Sequence, residues 1–421
     1  MLTSDNTTYI VTDVETTGSN PSKDRITEIA CVTVRNGEMI SQYSTLVNPH
    51  KEIPSYIAKM TGITQQMVSS APEEFQVIDI LEKIFKQDNA VFVAHNVSFD
   101  FGFVSNLFRR NTKKLELPQL CSLKLARKLL PRDVKKNVGD MSEYFGIHLR
   151  NRHRALIDAK ATAISFIEML HLAETEHKVQ TLSEILAFQN KPVMNYKVPN
   201  EVTKRINLNF DEVPYQPGVF KCFDDDGKMI YWDFSFNLNT KIKSFFNSHH
   251  ISSKFIFELS SKINKVDFQT TDSELSAMIL RQQLIEESKS NLSLFEPYNG
   301  NDITESDYDF LYFQAVDHNT KAVDVYVIKA GKLLLQQSVG LKQNLEAISK
   351  RISDIYSQKN DNQIYNNELK VIRRWIDMQN DFGIIIKPES YDLEYISKAL
   401  RTNILKAYEM TKRFDDEYEY Y

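Results

Sequence analysis

Cysteine is scarce: Cys31, Cys121 and Cys222 are the three in 421 residues. That excludes a disulfide-framed secreted scaffold, and their wide spacing excludes the paired-cysteine signature of a zinc site. No hydrophobic run approaches the roughly 20 residues of a membrane span, and the opening MLTSDNTTYIV lacks the basic and apolar regions of a secretory signal. A cytoplasmic protein with no membrane partner is expected. A strong basic excess is also missing, the formal net charge being -5. Any nucleic acid would therefore be held by a local surface and not by the field of the whole chain. Glycine and proline, 12 of each, are too few for a low-complexity or collagen-like chain. What remains, 42% hydrophobic and 25% charged, is the composition of folded domains, and the length predicts two or three of them.

The hydrophobic pattern alternates between the two common periods. YIVTDVE, RITEIACVTVRNG and EMISQYSTLVNP read as three strands, with Asn36-Gly37 as the hairpin turn between the last two. APEEFQVIDILEKIFKQ carries Phe75, Ile78, Leu81, Ile84 and Phe85 at helical spacing, and AVFVAH is a short apolar strand running into the helical NVSFDFGFVSNLFRRN. Helices SLKLARKLL, VGDMSEYFGI and RALIDAKATAISFIEMLHLAETE follow. Strands alternating with helices predict an α/β layer closing near residue 172. Residues 173–204 read as a polar linker with a helical turn or two inside it. Residues 205–295 then form a second unit, in which GVFKCFD and KMIYWDF pair through DDG before two helices. Residues 296–421 bring a further hairpin, FLYFQAVDHNTKAVDVYVIKAGKLLL, three helices and an acidic, aromatic tail.

Chemistry concentrates in the first unit. In VTDVETTGSN, Asp13 and Glu15 lie two apart on a strand and so share a face. Two like charges side by side are costly unless a cation lies between them or both face water. AHNVSFDFGF places Asp100 in the first turn of a helix, where it also suits helix capping. HRALIDA places His153 before a helix and Asp158 inside it, which also suits an ordinary surface. Each alone has an ordinary explanation. Four carboxylates and a histidine at the ends of elements in one α/β domain, where such folds gather their sites, do not.

These three stretches, in this order, resemble the motifs of the DEDDh 3'-to-5' exonucleases, closest in style to the epsilon proofreading subunit of bacterial DNA polymerase III. The resemblance spans residues 7–172 and implies an RNase H-like mixed-sheet exonuclease domain over 1–172. It implies two divalent cations, Mg²⁺ or Mn²⁺, held by Asp13, Glu15, Asp158 and Asp100, since hard oxygen donors without sulfur disfavour zinc. Such ions activate water and stabilise the leaving oxygen in phosphodiester cleavage. It implies His153 as general base, its ordinary pKa of about 6.5 suiting neutral pH. Thr16, Thr17 and Gly18 would contact the terminal nucleotide, turn chemistry being the alternative for the two threonines. His95 and Asn96 would either support the metal ligands from behind or contact the backbone of the strand. Phe99, and Phe103 one turn on, could stack on bases, with core packing as the alternative.

The second unit, through VPYQPGVFKCFDDDGKMIYWDFSFNLNTKIKSFF and TTDSELSAMILRQQLIEE, resembles the GIY-YIG domain of the endonuclease subunit of nucleotide-excision repair, UvrC. Its functional positions depart from the family. The first tyrosine falls on Phe220, and the second is kept as Tyr231. A glycine falls on Asp233, a lysine on Phe234, the catalytic arginine on Lys241, the metal-binding glutamate on Ser276 and a following glutamate on Arg281. Lysine cannot copy the bidentate fork of arginine. Glu274 is displaced by two residues, about 200° around a helix. A degenerate, non-catalytic small α/β domain is expected, with Lys241 and Lys243 either on DNA backbone or on a solvated face.

Residues 296–421 predict an α+β region without chemistry of their own. Leu369, Ile372, Trp375 and Ile376 read as helix packing, Arg373 and Arg374 as surface charge or a nucleic-acid contact. The expected activity is metal-dependent 3'-to-5' exonuclease action on nucleic acid, DNA before RNA. The rival is a non-enzymatic accessory or docking subunit of a polymerase, repair or defence complex. Self-association or partner docking would run through 205–421.

Overall fold

A computed structural model describes residues 6–131, 134–147, 154–192, 196, 205–206, 208–246, 254–287, 308–315, 321–358, 366–378 and 383–416. The strands β1 (Thr8–Thr16), β2 (Ile26–Arg35), β3 (Glu38–Leu46), β4 (Ala90–Ala94) and β5 (Gln119–Cys121) form one sheet in the order β3-β2-β1-β4-β5. The first three are antiparallel, and β4 and β5 run parallel to β1. Asn36 and Gly37, both at positive φ, make the β2–β3 turn, the backbone such a hairpin requires. AVFVA is apolar throughout because β4 is buried on both faces.

Helices cover both faces. On one side α3 (Glu74–Phe85) and α4 (Val97–Arg110) pack against Ile10, Ile29, Cys31 and Phe92. On the other, α5 (Ser122–Leu129), α6 (Val138–Tyr144), α7 (Ala155–His177) and α8 (Leu182–Phe188) pack against Tyr9, Val11, Ala30 and Val32. Two short helices, α1 (Ser55–Thr61) and α2 (Gln65–Ser69), follow β3. The central helix α7 is buried nearly all round, with Ala155, Ala159 and Ala163 against the core and the Phe166 ring edge-on to Tyr9 at 5.1 Å. Small side chains let a helix backbone approach a sheet closely.

Two expectations change here. Phe75 is 64% exposed, and the buried stripe of α3 is instead Val77, Ile78, Leu81 and Phe85. Residues 173–192 are less a linker than part of the first core, to which α8 and Val179 contribute Ile185 and Phe188. Thr181 and Glu184 close α8 with a reciprocal cap, Thr181 Oγ1 accepting from the Glu184 N–H at 3.3 Å and Glu184 Oε2 from the Thr181 N–H at 3.0 Å.

The chain divides into two compact units, Met1–Ala277 with Ser290–Leu294 and Met278–Lys289 with Phe295–Tyr421. The first therefore also contains the small sheet β7-β6-β8, built from β6 (Gly218–Phe223), β7 (Met229–Ser235) and β8 (Lys265–Thr270). Helices α9 (Leu238–Phe246) and α10 (Lys254–Ser260) cover it through Ile242, Phe246, Ile256 and Leu259. The helix α11 (Glu274–Glu287) spans the division.

The second unit has four antiparallel strands in the order β11-β10-β9-β12, namely β9 (Phe310–Ala315), β10 (Ala322–Lys329), β11 (Lys332–Gly340) and β12 (Gly383–Ile386). Helices α12 (Glu346–Ser357) and α14 (Leu393–Asp416) share a core with Phe313, Val325 and Val327. From α13 (Asn366–Met378), Trp375 packs on Tyr312 and Tyr326, with ring centroids 5.8 and 4.9 Å away. Arg373 is not a free surface charge, since its guanidinium stands 4.6 Å from the Phe310 ring.

The contrast on α3 is testable. Phe85→Ala should cost about 3–5 kcal/mol, whereas Phe75→Ala should stay within about 0.5 kcal/mol, both read by chemical denaturation.

Candidate active site

β1 carries Tyr9, Val11, Asp13 and Glu15 on its α7 face, and its register pairs Asp13 with Ala30 and Glu15 with Glu28. Beyond Glu15 the pairing slips, so β1 bends away and leaves both carboxylates at the sheet's end. Asp158, buried in the first turn of α7, comes down upon them. Ligand oxygens of Asp13, Glu15 and Asp158 all lie within 4.8 Å of one another. Asp100, also buried, stands beside this triad rather than in it. It reaches over from α4, accepting the Val14 N–H at 3.2 Å from between the two β1 carboxylates.

Burial, with crowding added at Asp13 and Glu15, favours the protonated carboxyls. Burial, then the charges of Asp100, Asp158, Glu15 and Glu28, raises Asp13 well above the ordinary carboxylate range. Glu15 is pushed up to about 8 by burial and by Asp158, Glu28 and Asp100, with Arg154 opposing. Burial pushes Asp100 up to about 8, against the hydrogen bond from Val14. Four carboxylates that repel one another this strongly fit hard divalent cations, which relieve the repulsion and offer the oxygen-only coordination these donors supply.

Two residues of the site escape the motifs. Glu28 is 3% exposed on β2. It accepts Arg154 Nε at 3.1 Å, Arg154 Nη2 at 2.9 Å and the Ala155 N–H at 3.0 Å. One buried carboxylate thus caps the start of α7 and clamps the residue preceding it, fixing where Asp158 arrives. The available signal was a glutamate within the apolar run ITEIACV, on the same face as Ala30 and Val32. His153, next to Arg154 in sequence, lies outside the described residues.

The expected substrate contacts separate. Thr16 donates its hydroxyl to the Gly18 carbonyl at 2.7 Å, and Thr17 Oγ1 accepts the Arg25 N–H at 3.1 Å. Both threonines therefore serve the turn. At Gly18 an added Cβ would fall 2.4 Å from Asp24 Oδ2, so any side chain there would have to displace that carboxylate. His95 Nδ1 lies 3.0 Å from Ser122 Oγ. Burial pushes the His95 imidazole down to about 4, so it is neutral at physiological pH and is no cationic clamp. Asn96, exposed and at φ 66°, opens α4. Phe103 is core and Phe99 leans on it at 5.0 Å, half-buried.

In the second domain Phe220 is wholly buried. Ser276 donates its N–H to Ser273 Oγ at 3.1 Å, and its hydroxyl oxygen accepts from Ser273 Oγ at 3.0 Å. Lys241 pairs with Asp233 at 3.0 Å, and Lys243 lies 3.7 Å from Asp211.

Two stretches of the chain match known families. A family model described as Exonuclease, RNase_T, matches residues 10–166, and one described as UvrC-like GIY-YIG domain matches residues 216–292. A Mycobacterium tuberculosis protein, by its provisional name a bifunctional exonuclease/endonuclease, is 33% identical over 57% of this chain and 37% of its own length. The PolC-type DNA polymerase III of Clostridium perfringens is 39% identical over 42% of this chain and 12% of its own length. Exonuclease X, solved in complex with 5' overhanging duplex DNA, is 26% identical over 43% of this chain and 99% of its own, with a TM-score of 0.35. The chain thus carries a DEDD-type exonuclease domain of RNase H-like fold, followed by a UvrC-like GIY-YIG domain. It spans little more than a third, or less, of the two curated relatives named here.

Raised carboxyl pKa values give the metal-free protein a defined pH dependence. An acid whose folded pKa exceeds its unfolded one binds protons better when folded, so stability falls as pH rises between the two values. For Glu15 that window runs from 4.5 to about 8. Thermal unfolding with a chelator present should therefore show a melting temperature that declines across this window, and millimolar Mn²⁺ should raise it most at the alkaline end. A pH-independent metal increment would contradict the cause assigned.

Proposed function

We propose that this chain is a metal-dependent 3'-to-5' exonuclease that removes nucleotides from the 3' end of nucleic acid, DNA in preference to RNA. The observation that carries this is the convergence of Asp13, Glu15 and Asp158 within 4.8 Å, with Asp100 tied to the same strand, in a chain bearing an exonuclease domain. The similarity to a PolC-type DNA polymerase supports DNA as the substrate.

Asp13, Glu15 and Asp158 would hold divalent ions, Mg²⁺ or Mn²⁺, with Asp100 completing the set. When bound, such ions neutralise the scissile phosphate and lower the pKa of the attacking water. His153 accepts that water's proton while the oxygen forms its bond to phosphorus. The P–O3' bond breaks, the upstream 3' oxygen takes up a proton, and the terminal nucleotide departs as a 5'-monophosphate. The Glu28–Arg154 pair holds α7 so that Asp158 stays in register with Asp13 and Glu15. Exposed Asn96 and half-buried Phe99 border the cluster through α4 and are assigned to the incoming strand with His95, Thr16, Thr17 and Gly18, the last three through backbone rather than hydroxyls.

The GIY-YIG domain is assigned no cleavage chemistry, because Phe220, Ser276 and Lys241 replace the groups such chemistry uses. The exonuclease domain is placed at 1–172 with α8 as its extension, the second domain at 205–295 and the remainder at 296–421. A cytoplasmic location suits the three buried free thiols, and no helix among the described residues is long and apolar enough to cross a membrane. A polymerase, repair or defence partner, or a second copy, is assigned to 205–421.

The test uses 3'-labelled and 5'-labelled single-stranded, duplex, mismatched and RNA oligonucleotides with Mg²⁺ or Mn²⁺. Wild type should shorten 5'-labelled strands stepwise and release mononucleotide at once from 3'-labelled ones. Asp13→Ala and Asp158→Ala should each lose at least about 100-fold, a factor in keeping with removal of a central catalytic group. Full activity in Asp158→Ala would refute the assignment.

A further inference from the structure

The exonuclease domain and the GIY-YIG domain as far as Ala277 lie in one compact unit, and the surface between them is built from unexpected residues. α7 runs from Asp158 to Glu176 in its last turn, about 27 Å at 1.5 Å per residue. At that far end the Glu176 carboxyl is raised to about 7 by burial, with the charges of Lys241 of α9 and Asp233 of β7 also acting on it. Lys241 pairs with Asp233 at 3.0 Å, and Tyr231 donates its hydroxyl to the same Asp233 oxygen at 3.3 Å. Tyr144 of α6 joins them, facing Lys241 electrostatically alongside Asp233 and Glu176. Lys241 and Asp233 keep only 15% and 14% of their side-chain surface.

Two ring contacts also cross between the domains. Gly146, at φ 68° just past α6, receives the Phe236 ring so closely that a Cβ would lie 1.8 Å from it. Lys178, capping α7, holds its ammonium 4.7 Å over the Phe255 ring. A Lys241–Asp233 pair this little exposed, in a domain whose Phe236 and Phe255 rings lie against Gly146 and Lys178 of the other, belongs to a joint and not to a solvated face.

Tyr231, Asp233 and Lys241 are also the positions onto which the GIY-YIG resemblance maps the second tyrosine, a glycine and the catalytic arginine. We propose that this face of the second domain has become a docking surface whose occupant is the exonuclease domain's own helix end, Glu176 with Tyr144, so that the face is closed to nucleic acid. The replacements then fit together. Glycine to Asp233 supplies the partner for Lys241, and the lysine position, now Phe234, places its ring edge-on to Phe236 at 5.4 Å beside the Gly146 seat. The second domain braces the end of the helix whose beginning carries Asp158. This goes beyond the exonuclease assignment and does not depend on it.

The test is a double-mutant cycle in the full chain, read by denaturant unfolding, which needs no cleavage. Lys241→Met should lower the unfolding midpoint more in the native background than in Glu176→Gln, because only in the former does Glu176 lose the opposite charge that acts on it from the other domain. Equal shifts in the two backgrounds would overturn the proposal. A second measurement needs no folding-sensitive substitution. Native Asp13→Ala protein is labelled with an amine-reactive ester, with and without a 3'-overhang DNA, and analysed by peptide mass spectrometry. Loss of label at Lys241 relative to exposed Lys254, unchanged by DNA, is expected. Labelling of Lys241 that DNA suppresses would show the face open to nucleic acid and would overturn the proposal.

Discussion

The site depends on one buried carboxylate that is not itself a proposed metal ligand. Glu28 holds the Arg154 guanidinium and the first N–H of α7 together. Without it the helix start would have neither a partner for its orphan backbone donors nor a fixed approach to β1. With it, Asp158 is driven against Asp13 and Glu15 despite their mutual repulsion. The cost of that repulsion is met by the packing of α7, whose alanines and Phe166 bury against Tyr9 and Val32. The fold thus holds in place an arrangement its charges oppose, and a divalent cation is the species that turns this strain into binding.

Much of this was legible in the sequence. Strand periodicity put Asp13 and Glu15 on one face, and the elements bearing Asp100 and Asp158 end where α/β folds collect their sites. Those are local signals. The Glu28–Arg154 contact joins residues 126 apart, and no local pattern records a partner at that distance. On α3 two apolar stripes overlap at helical spacing, and only the sheet decides that Val77 and not Phe75 turns inward. The short strands β8 and β12 exist through pairing with β6 and β9, so their own sequences carry little of the signal. The linker reading allowed a helical turn or two here, yet only packing shows that α8 belongs to the first core.

Two nuclease folds in one chain have met different fates. The first keeps its acidic cluster and a buried scaffold devoted to holding it. In the second, the groups that a nuclease of its kind would use have become core, cap or joint: Phe220 is buried, Ser276 bonds to Ser273, and Lys241 pairs with Asp233 and acts on the Glu176 carboxyl. On the proposed reading, loss of chemistry and gain of contact are two sides of the same substitutions.

Calorimetric titration of Mn²⁺ into the metal-free full chain tests the central claim most directly. The account predicts two bound ions, with binding lost in Asp158→Asn while the circular dichroism spectrum is unchanged. A native chain that binds no Mn²⁺, or an Asp158→Asn chain that binds it as wild type does, would contradict it.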